Sequence, residues 1–157
     1  MTSTKIKDYT LKITNATPGR LTIITYELLI DNINELKEYI NQKEINKFYG
    51  TMKTTEKILN QLMNSLDMSY DLGKELMNLY LFVQSKLSQA SIKFQTEPLQ
   101  EAEKVLQILL IGWEEAAKEE KQSKIMKNTQ QVYAGLTYGR GVLNESLTNS
   151  TGRGFKA

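Results

Sequence analysis

At 157 residues, 40% hydrophobic and 24% charged, the chain is long enough for one domain with a real core and too short for two comfortable ones. It has no cysteine and no histidine, so it cannot by itself build a disulfide framework, a thiolate or imidazole metal site, a cysteine nucleophile, a Ser-His-Asp triad or a Glu-x-x-His di-iron centre. The formal net charge of +2 hides a split, with +3 on residues 1–20, −6 on residues 21–120 and +5 on residues 121–157.

The basic ends read as solvated tails on an acidic body. No basic stripe with interleaved aromatics marks a nucleic-acid interface. Met1 to Asp8 is polar and lacks the apolar centre of a secretory signal. The longest apolar runs break off well short of the ~20 residues of a membrane span. Cytoplasm is the expected location, with no membrane insertion.

In chain order, Ile6, Tyr9, Leu11 and Ile13 offer apolar groups on an N-terminal segment that can act as a flap. Thr17-Pro18 then pairs an N-cap with proline at the first helical position, where its missing N–H costs nothing. The first long helix runs from there to about Gln42, so the β-branched run Leu21-Thr22-Ile23-Ile24-Thr25 is helical despite its strand propensity. A second helix spans about 45–66, with Phe48, Met52, Thr55, Ile58, Leu59, Leu62, Met63 and Leu66 on one stripe. A third, about 71–94, places Leu72, Leu76, Leu79, Tyr80, Val83, Leu87, Ala90 and Phe94 on one face. Thr96-Glu97-Pro98 opens a fourth, about 98–118, striped by Leu99, Ala102, Val105, Leu106, Leu109, Leu110, Trp113, Ala116 and Ala117.

Long helices joined by short turns favour antiparallel neighbours. The expected fold is therefore all-α: an antiparallel up-down four-helix bundle over residues 1–120, with an apolar N-terminal flap and a flexible C-terminal tail. Residues 121–157 hold five of the nine glycines among Asn, Ser and Thr, and read as mostly disordered with a short helix near Ser123 to Tyr133.

The first long helix has more apolar surface than a bundle position needs. At ~100° per residue, its charged group (Glu27, Asp31, Asn34, Glu35, Glu38) fills a sector of only about 100°, and this narrow side is expected to face water. The apolar remainder includes Ile23, Tyr26, Ile30 and Ile33. Smaller excesses occur at Met77 and Leu81 in the third helix and at Ile108 and Ile111 in the fourth, whereas the second is cleanly two-faced. Each large apolar side chain left in water forgoes ~1.5–3 kcal/mol. Three covers can account for the surplus: a central position in the bundle, the N-terminal flap, or a partner docked helix-in-groove. A flap that a partner displaces would combine the last two. On the partner reading, the docking residues are Ile23, Tyr26, Ile30, Ile33, Met77, Leu81, Ile108 and Ile111.

No chemistry competes with binding. Glu114-Glu115 and Glu119-Glu120 are adjacent pairs, which do not face one another on a helix. Gly139-Arg140-Gly141 lacks the Lys-Ser/Thr of a phosphate loop. No catalytic residue, metal ligand or cofactor fingerprint is assigned. The chain reads as a binding module and not as an enzyme.

Several stretches together resemble one family, the flagellin-specific export chaperones of bacteria (FliS). Tyr9 followed by Ile13-Thr14-Asn15-Ala16-Thr17-Pro18-Gly19 is similar to the family's tyrosine, spacer and I-x-T-A-S-P-G start of the first long helix. Tyr26-Glu27 stands where the family tends to have Tyr-Asp. Leu62-Met63-Asn64-Ser65-Leu66-Asp67 looks like its L-M-x-S-L-D helix end, and Leu76, Leu79 and Tyr80 match its L-x-x-L-Y. Trp113-Glu114-Glu115-Ala116 sits where a late tryptophan closes the last helix. Arg20 in place of an acidic residue and Asp71-Leu72-Gly73 in place of a Gly-Gly turn depart from the pattern. The resemblance covers about residues 9–118. It implies a chaperone that binds the disordered C-terminal segment of flagellin, prevents its premature polymerisation and supports delivery to the flagellar export apparatus, with export gate components as further partners. The alternative is a helical homodimer or adaptor with a different client or none.

Overall fold

The computed structural model describes residues 3–134, with side-chain surroundings described through residue 120. Part of the expected tail, residues 135–157, lies outside the described residues. The described residues form five helices and no strand: α1 (Ser3–Thr14), α2 (Pro18–Gln42), α3 (Ile45–Asn64), α4 (Asp71–Lys93) and α5 (Glu97–Ala134). The described residues divide into two units, with the boundary between Glu115 and Ala116. The N-terminal segment is itself a helix, and α5 continues past the expected end near 118 to Ala134, over the part of the tail where a short helix was expected.

Local chemistry sets the helix ends. Thr17 caps α2 through its hydroxyl, which accepts from the Arg20 N–H at 3.4 Å, and Pro18 opens the helix. Neither α2 nor α4 ends on glycine. Lys43 (φ 60°) and Phe94 (φ 51°) adopt the left-handed conformation instead, and their N–H groups close the last turns. That conformation costs a residue with a Cβ roughly 1 kcal/mol. At Phe94 the cost is offset by an edge-on ring contact with buried Phe48, centroids 5.1 Å apart.

The turn between α3 and α4 is built by Asp67. Its carboxylate accepts from both the Ser69 N–H (3.0 Å) and the Ser69 hydroxyl (2.6 Å), which holds its pKa below the usual carboxylate range. The Asp67 carbonyl in turn lies so close to Gly73 that a Cβ there would sit 2.1 Å from it. Only glycine lets α4 begin against this turn. Asp71 is the first helical residue and not the cap; Tyr70 holds the cap position without a side-chain hydrogen bond.

α2 supplies the centre. Tyr26, Leu29, Ile33 and Leu36 are fully buried and pack with Phe48, Met52 and Leu59 of α3, Tyr80, Val83, Leu87 and Ala90 of α4, and Leu99, Ala102 and Leu106 of α5. The pairing of elements shows in polar contacts as well. Gln84 of α4 donates to Asn60 of α3 (3.1 Å), Tyr49 of α3 to the Ser91 carbonyl (3.0 Å), and Lys37 of α2 meets Glu103 of α5 at 2.8 Å. Two buried polar residues interrupt the core. Thr55 bonds the Thr51 carbonyl at 2.7 Å, whereas the Asn32 amide has no hydrogen-bond partner among the described residues.

At one end of this core the hydroxyls of Tyr26 and Tyr80 bond each other. The Tyr26 ring lies 6.3 Å from that of Tyr80 and 6.4 Å from that of Trp113. Burial is the main cause that raises the pKa of both phenols, and at Tyr80 the bond to Tyr26 adds to it. The folded chain thus keeps protons that the unfolded chain releases near pH ~10. Their contribution to stability is complete below that pH and falls as pH rises above it, because there the folded state binds more protons than the unfolded one. Urea midpoints should therefore decline above about pH 10, and Tyr80→Phe should flatten the decline. Parallel slopes in the two proteins would contradict the assignment.

Candidate docking surface

Of the α2 residues expected on a partner face, Ile23, Tyr26 and Ile33 are buried within the chain's own structure and present nothing to a partner. Ile30 is half-buried and packs on the core. The correction has a simple cause: α2 is covered on nearly every side, so its apolar surplus is used internally.

The side expected to face water is covered too. α1 lies antiparallel along the acidic stripe of α2. Lys5 pairs with Glu35 (3.2 Å) and Asp31 (3.7 Å), the Tyr9 hydroxyl donates to Asp31 (2.6 Å), and Lys12 pairs with Glu27 (3.7 Å). Lys12 also stands 5.0 Å over the Tyr9 ring. Burial, followed by the bond to Asp31, raises the Tyr9 phenol pKa far above its ordinary value. The basic character of the N-terminus is therefore a counter-charge and not a solvated tail. Nor is α1 an apolar flap: Tyr9 is its one buried residue, while Ile6, Leu11 and Ile13 are exposed.

On α4 and α5 the exposed apolar residues do not share one face. Lys86 meets Glu101 at 2.5 Å, which fixes the α4/α5 seam. Stepping back along α4 by whole turns from Lys86 reaches Phe82 and Leu79; stepping forward along α5 from Glu101 reaches Ile108, 70% exposed. Helical spacing thus places these three along the same side of the α4/α5 seam. Gly112, a turn beyond Ile108, has nothing within 4 Å of a notional Cβ. Met77 (half-buried) and Leu81 (45% exposed) lie on the opposite side of α4, the side that Gln84 turns toward α3, and Ile111 lies on the outer face of α5. The eight expected residues are thus not one patch.

Sequence reasoning missed Phe82 and placed Leu79 and Leu72 in the core stripe, although both are exposed. They lie at the edge of that stripe, where angular position alone does not separate core from rim. It also missed a pocket of about 400 Å³ where the α3–α4 turn meets the start of α4. Leu62, Leu66, Leu76, Tyr80 and Trp113 form its apolar walls, with Tyr70 and Leu72 among the remaining lining residues. Among the described residues no cluster of acidic side chains could hold a metal ion, and no helix is long and apolar enough to cross a membrane.

The family model "Flagellar protein FliS" matches residues 3–120. The chain belongs to the FliS family. This is a family of flagellar chaperones and not of enzymes. A bacterial crystal structure described as a flagellar chaperone is similar in fold, with TM-score 0.62 and 24% identity, over 68% of this chain and 89% of that chain. No curated protein sequence matches. The match starts at residue 3, so in this FliS chain α1 belongs to the family unit together with the helices it packs on.

Because α1 is held mainly by hydrogen-bonded charge, removing one hydroxyl should loosen it selectively. Tyr9→Phe is expected to lower the local opening free energy of α1 by about 1 kcal/mol, roughly five-fold faster amide exchange over Ser3–Thr14, with α3 and α4 unchanged. Unchanged exchange across α1 would show that the Tyr9–Asp31 bond does not hold it.

Proposed function

We propose that this protein is a cytoplasmic export chaperone for flagellin, with its helices arranged as an antiparallel up-down four-helix bundle that α1 caps. It binds the disordered C-terminal segment of flagellin, keeps it from polymerising early and carries it to the export apparatus, where gate components are its further partners. The observation that carries the reading is the combination of FliS family membership with exposed apolar residues on α4 and α5 that no described residue covers.

The client segment must be ordered on binding, at ~1–2 kcal/mol of backbone entropy per residue. Coupled folding of this kind typically buries ~1,000–3,000 Å². One groove is smaller than that, so the client wraps more than one face. The α4/α5 seam with Ile108 takes one amphipathic stretch, and the outer faces with Leu81 and Ile111 take others. Of the residues expected on α2, Ile30 alone is near enough to the surface to contribute. Ile23, Tyr26 and Ile33 act through the core that supports these faces.

Calorimetric titration of the full chain with the C-terminal region of flagellin from the same bacterium should show binding with a clearly negative heat-capacity change. Ile108→Asp and Leu81→Asp should each weaken it by about tenfold or more with the helical circular dichroism retained, since each places a charge where an apolar contact formed. No binding by the unmodified chain at tens of micromolar would refute the flagellin assignment; unaltered affinity in both variants would refute the faces.

A further inference from the structure

We infer that the pocket between the α3–α4 turn and Trp113 is an anchor site, which takes one large apolar side chain of the client with a lysine or arginine beside it in the client's sequence. The inference rests on the proposed function and adds to it a single place of insertion and the residue chemistry that fits there.

Three observations carry it. First, the pocket has the size and lining of a side-chain socket. It holds about 400 Å³ between Leu62, Leu66, Leu76, Tyr80 and Trp113. Its walls do not collapse inward because they are fixed from behind: the Tyr26–Tyr80 bond and the Trp113 contact with Tyr26 hold the aromatic side, and the Gly73–Asp67 contact holds the turn. Closely packed interiors leave few voids of this kind, so one that opens to the surface is available for an apolar group.

Second, its rim is apolar where a solvated turn would be polar. Tyr70 (67% exposed) and Leu72 (60% exposed), both in its lining, stand in water. Leu72 precedes Leu79 by two turns of α4, so the exposed Leu79 and Phe82 lie along the same side of α4 that leads to the pocket. An amphipathic segment lying along that side of α4 would reach the pocket with one end, and a hot-spot side chain enclosed by a ring of weaker contacts is the usual form of such a site.

Third, the one formal charge in the lining selects the neighbour. Asp67 lines the pocket, and its Ser69 hydrogen bonds use one carboxylate oxygen and favour the ionised form. No lysine or arginine among the described residues forms an ion pair with it. A cation next to the client's apolar anchor would meet Asp67, whereas an acidic neighbour would be repelled.

Trp113 is the only tryptophan of the chain and lines the pocket, so its fluorescence reports occupancy directly. The full chain would be titrated with the flagellin C-terminal region (tryptophan-free, or with its tryptophans replaced), and acrylamide quenching read alongside affinity. Binding should shield Trp113 from acrylamide. Leu72→Glu, an exposed rim change that leaves the core alone, should weaken binding about tenfold or more. Asp67→Asn, which keeps the acceptor for Ser69, should weaken it about threefold at low salt and remove part of the salt dependence. Binding with Trp113 quenched as before, or with wild-type affinity in Leu72→Glu, overturns the anchor site and leaves the flagellin assignment standing. Wild-type affinity and salt dependence in Asp67→Asn overturn the cationic neighbour. Absence of binding by the unmodified chain overturns the flagellin assignment and the anchor site with it.

Discussion

The structure depends on the burial of α2. Ile23, Ile24, Tyr26, Leu29, Asn32, Ile33 and Leu36 are buried along its length. A helix surrounded in this way leaves one sector to close, and on α2 that sector carries Glu27, Asp31 and Glu35, spaced by four residues on a single side. Carboxylates so placed repel one another. Covering them with an apolar helix would bury charge without compensation, at a cost of several kcal/mol per ion. α1 solves both problems by bringing cations and a phenol. Lys5 and Lys12 are about 10 Å apart along a helix and α2's acidic residues span about 12 Å, so the antiparallel pairing fits within the reach of lysine side chains.

This division of labour ranks the helices by how firmly they are held. α2 to α5 share a core of large apolar side chains worth ~1.5–3 kcal/mol each when fully buried. α1 contributes Tyr9 to burial and otherwise relies on part-exposed ion pairs, which are worth ~0–1 kcal/mol each, plus a charged hydrogen bond at ~1.5–3 kcal/mol. α1 is therefore the element of the N-terminal unit that opens most easily, and the one whose attachment salt weakens. Its exposed Ile6, Leu11 and Ile13 are not what holds it.

Much of this fold was legible in the sequence because the signals were local. Thr17-Pro18 and Thr96-Glu97-Pro98 mark helix starts at the level of single hydrogen bonds, and the i, i+3, i+4 stripes of α3, α4 and α5 identify core faces directly. What was not legible depended on how helices face one another. The acidic side of α2 looked like a solvent face, since charge on a helix usually is one; only the register of Lys5, Tyr9 and Lys12 against it shows otherwise. Lys43 and Phe94 end their helices without glycine, and the Phe94 conformation is supported by Phe48, which lies far away in sequence. The same limit applies to the docking residues. A helical wheel separates Ile108 from the core stripe correctly, yet it cannot say which flank of α4 faces the α4/α5 seam; the Lys86–Glu101 pair puts Leu79 and Phe82 on that flank, and the Gln84–Asn60 bond puts Leu81 on the other.

The use of α2's surplus inside the molecule constrains how a client can be held. Had Ile23, Tyr26 and Ile33 formed an open face, client and core would compete for the same side chains, and release would expose a broad apolar surface to aggregation. Instead, exposed apolar groups on α4 and α5 stand singly or in twos and threes, at Leu79, Phe82 and Ile108, at Leu81, at Ile111 and at the rim of the pocket. Under the proposed function, contacts dispersed in this way would give a client many weak points of attachment and one deep one. Such binding can be tight when every point is engaged, because each additional contact is intramolecular once the first has formed. It can also be undone from one end, contact by contact. Under the proposed function, a carrier that holds an unfolded segment and later surrenders it needs both properties, and a rigid core with separated outer contacts suits them.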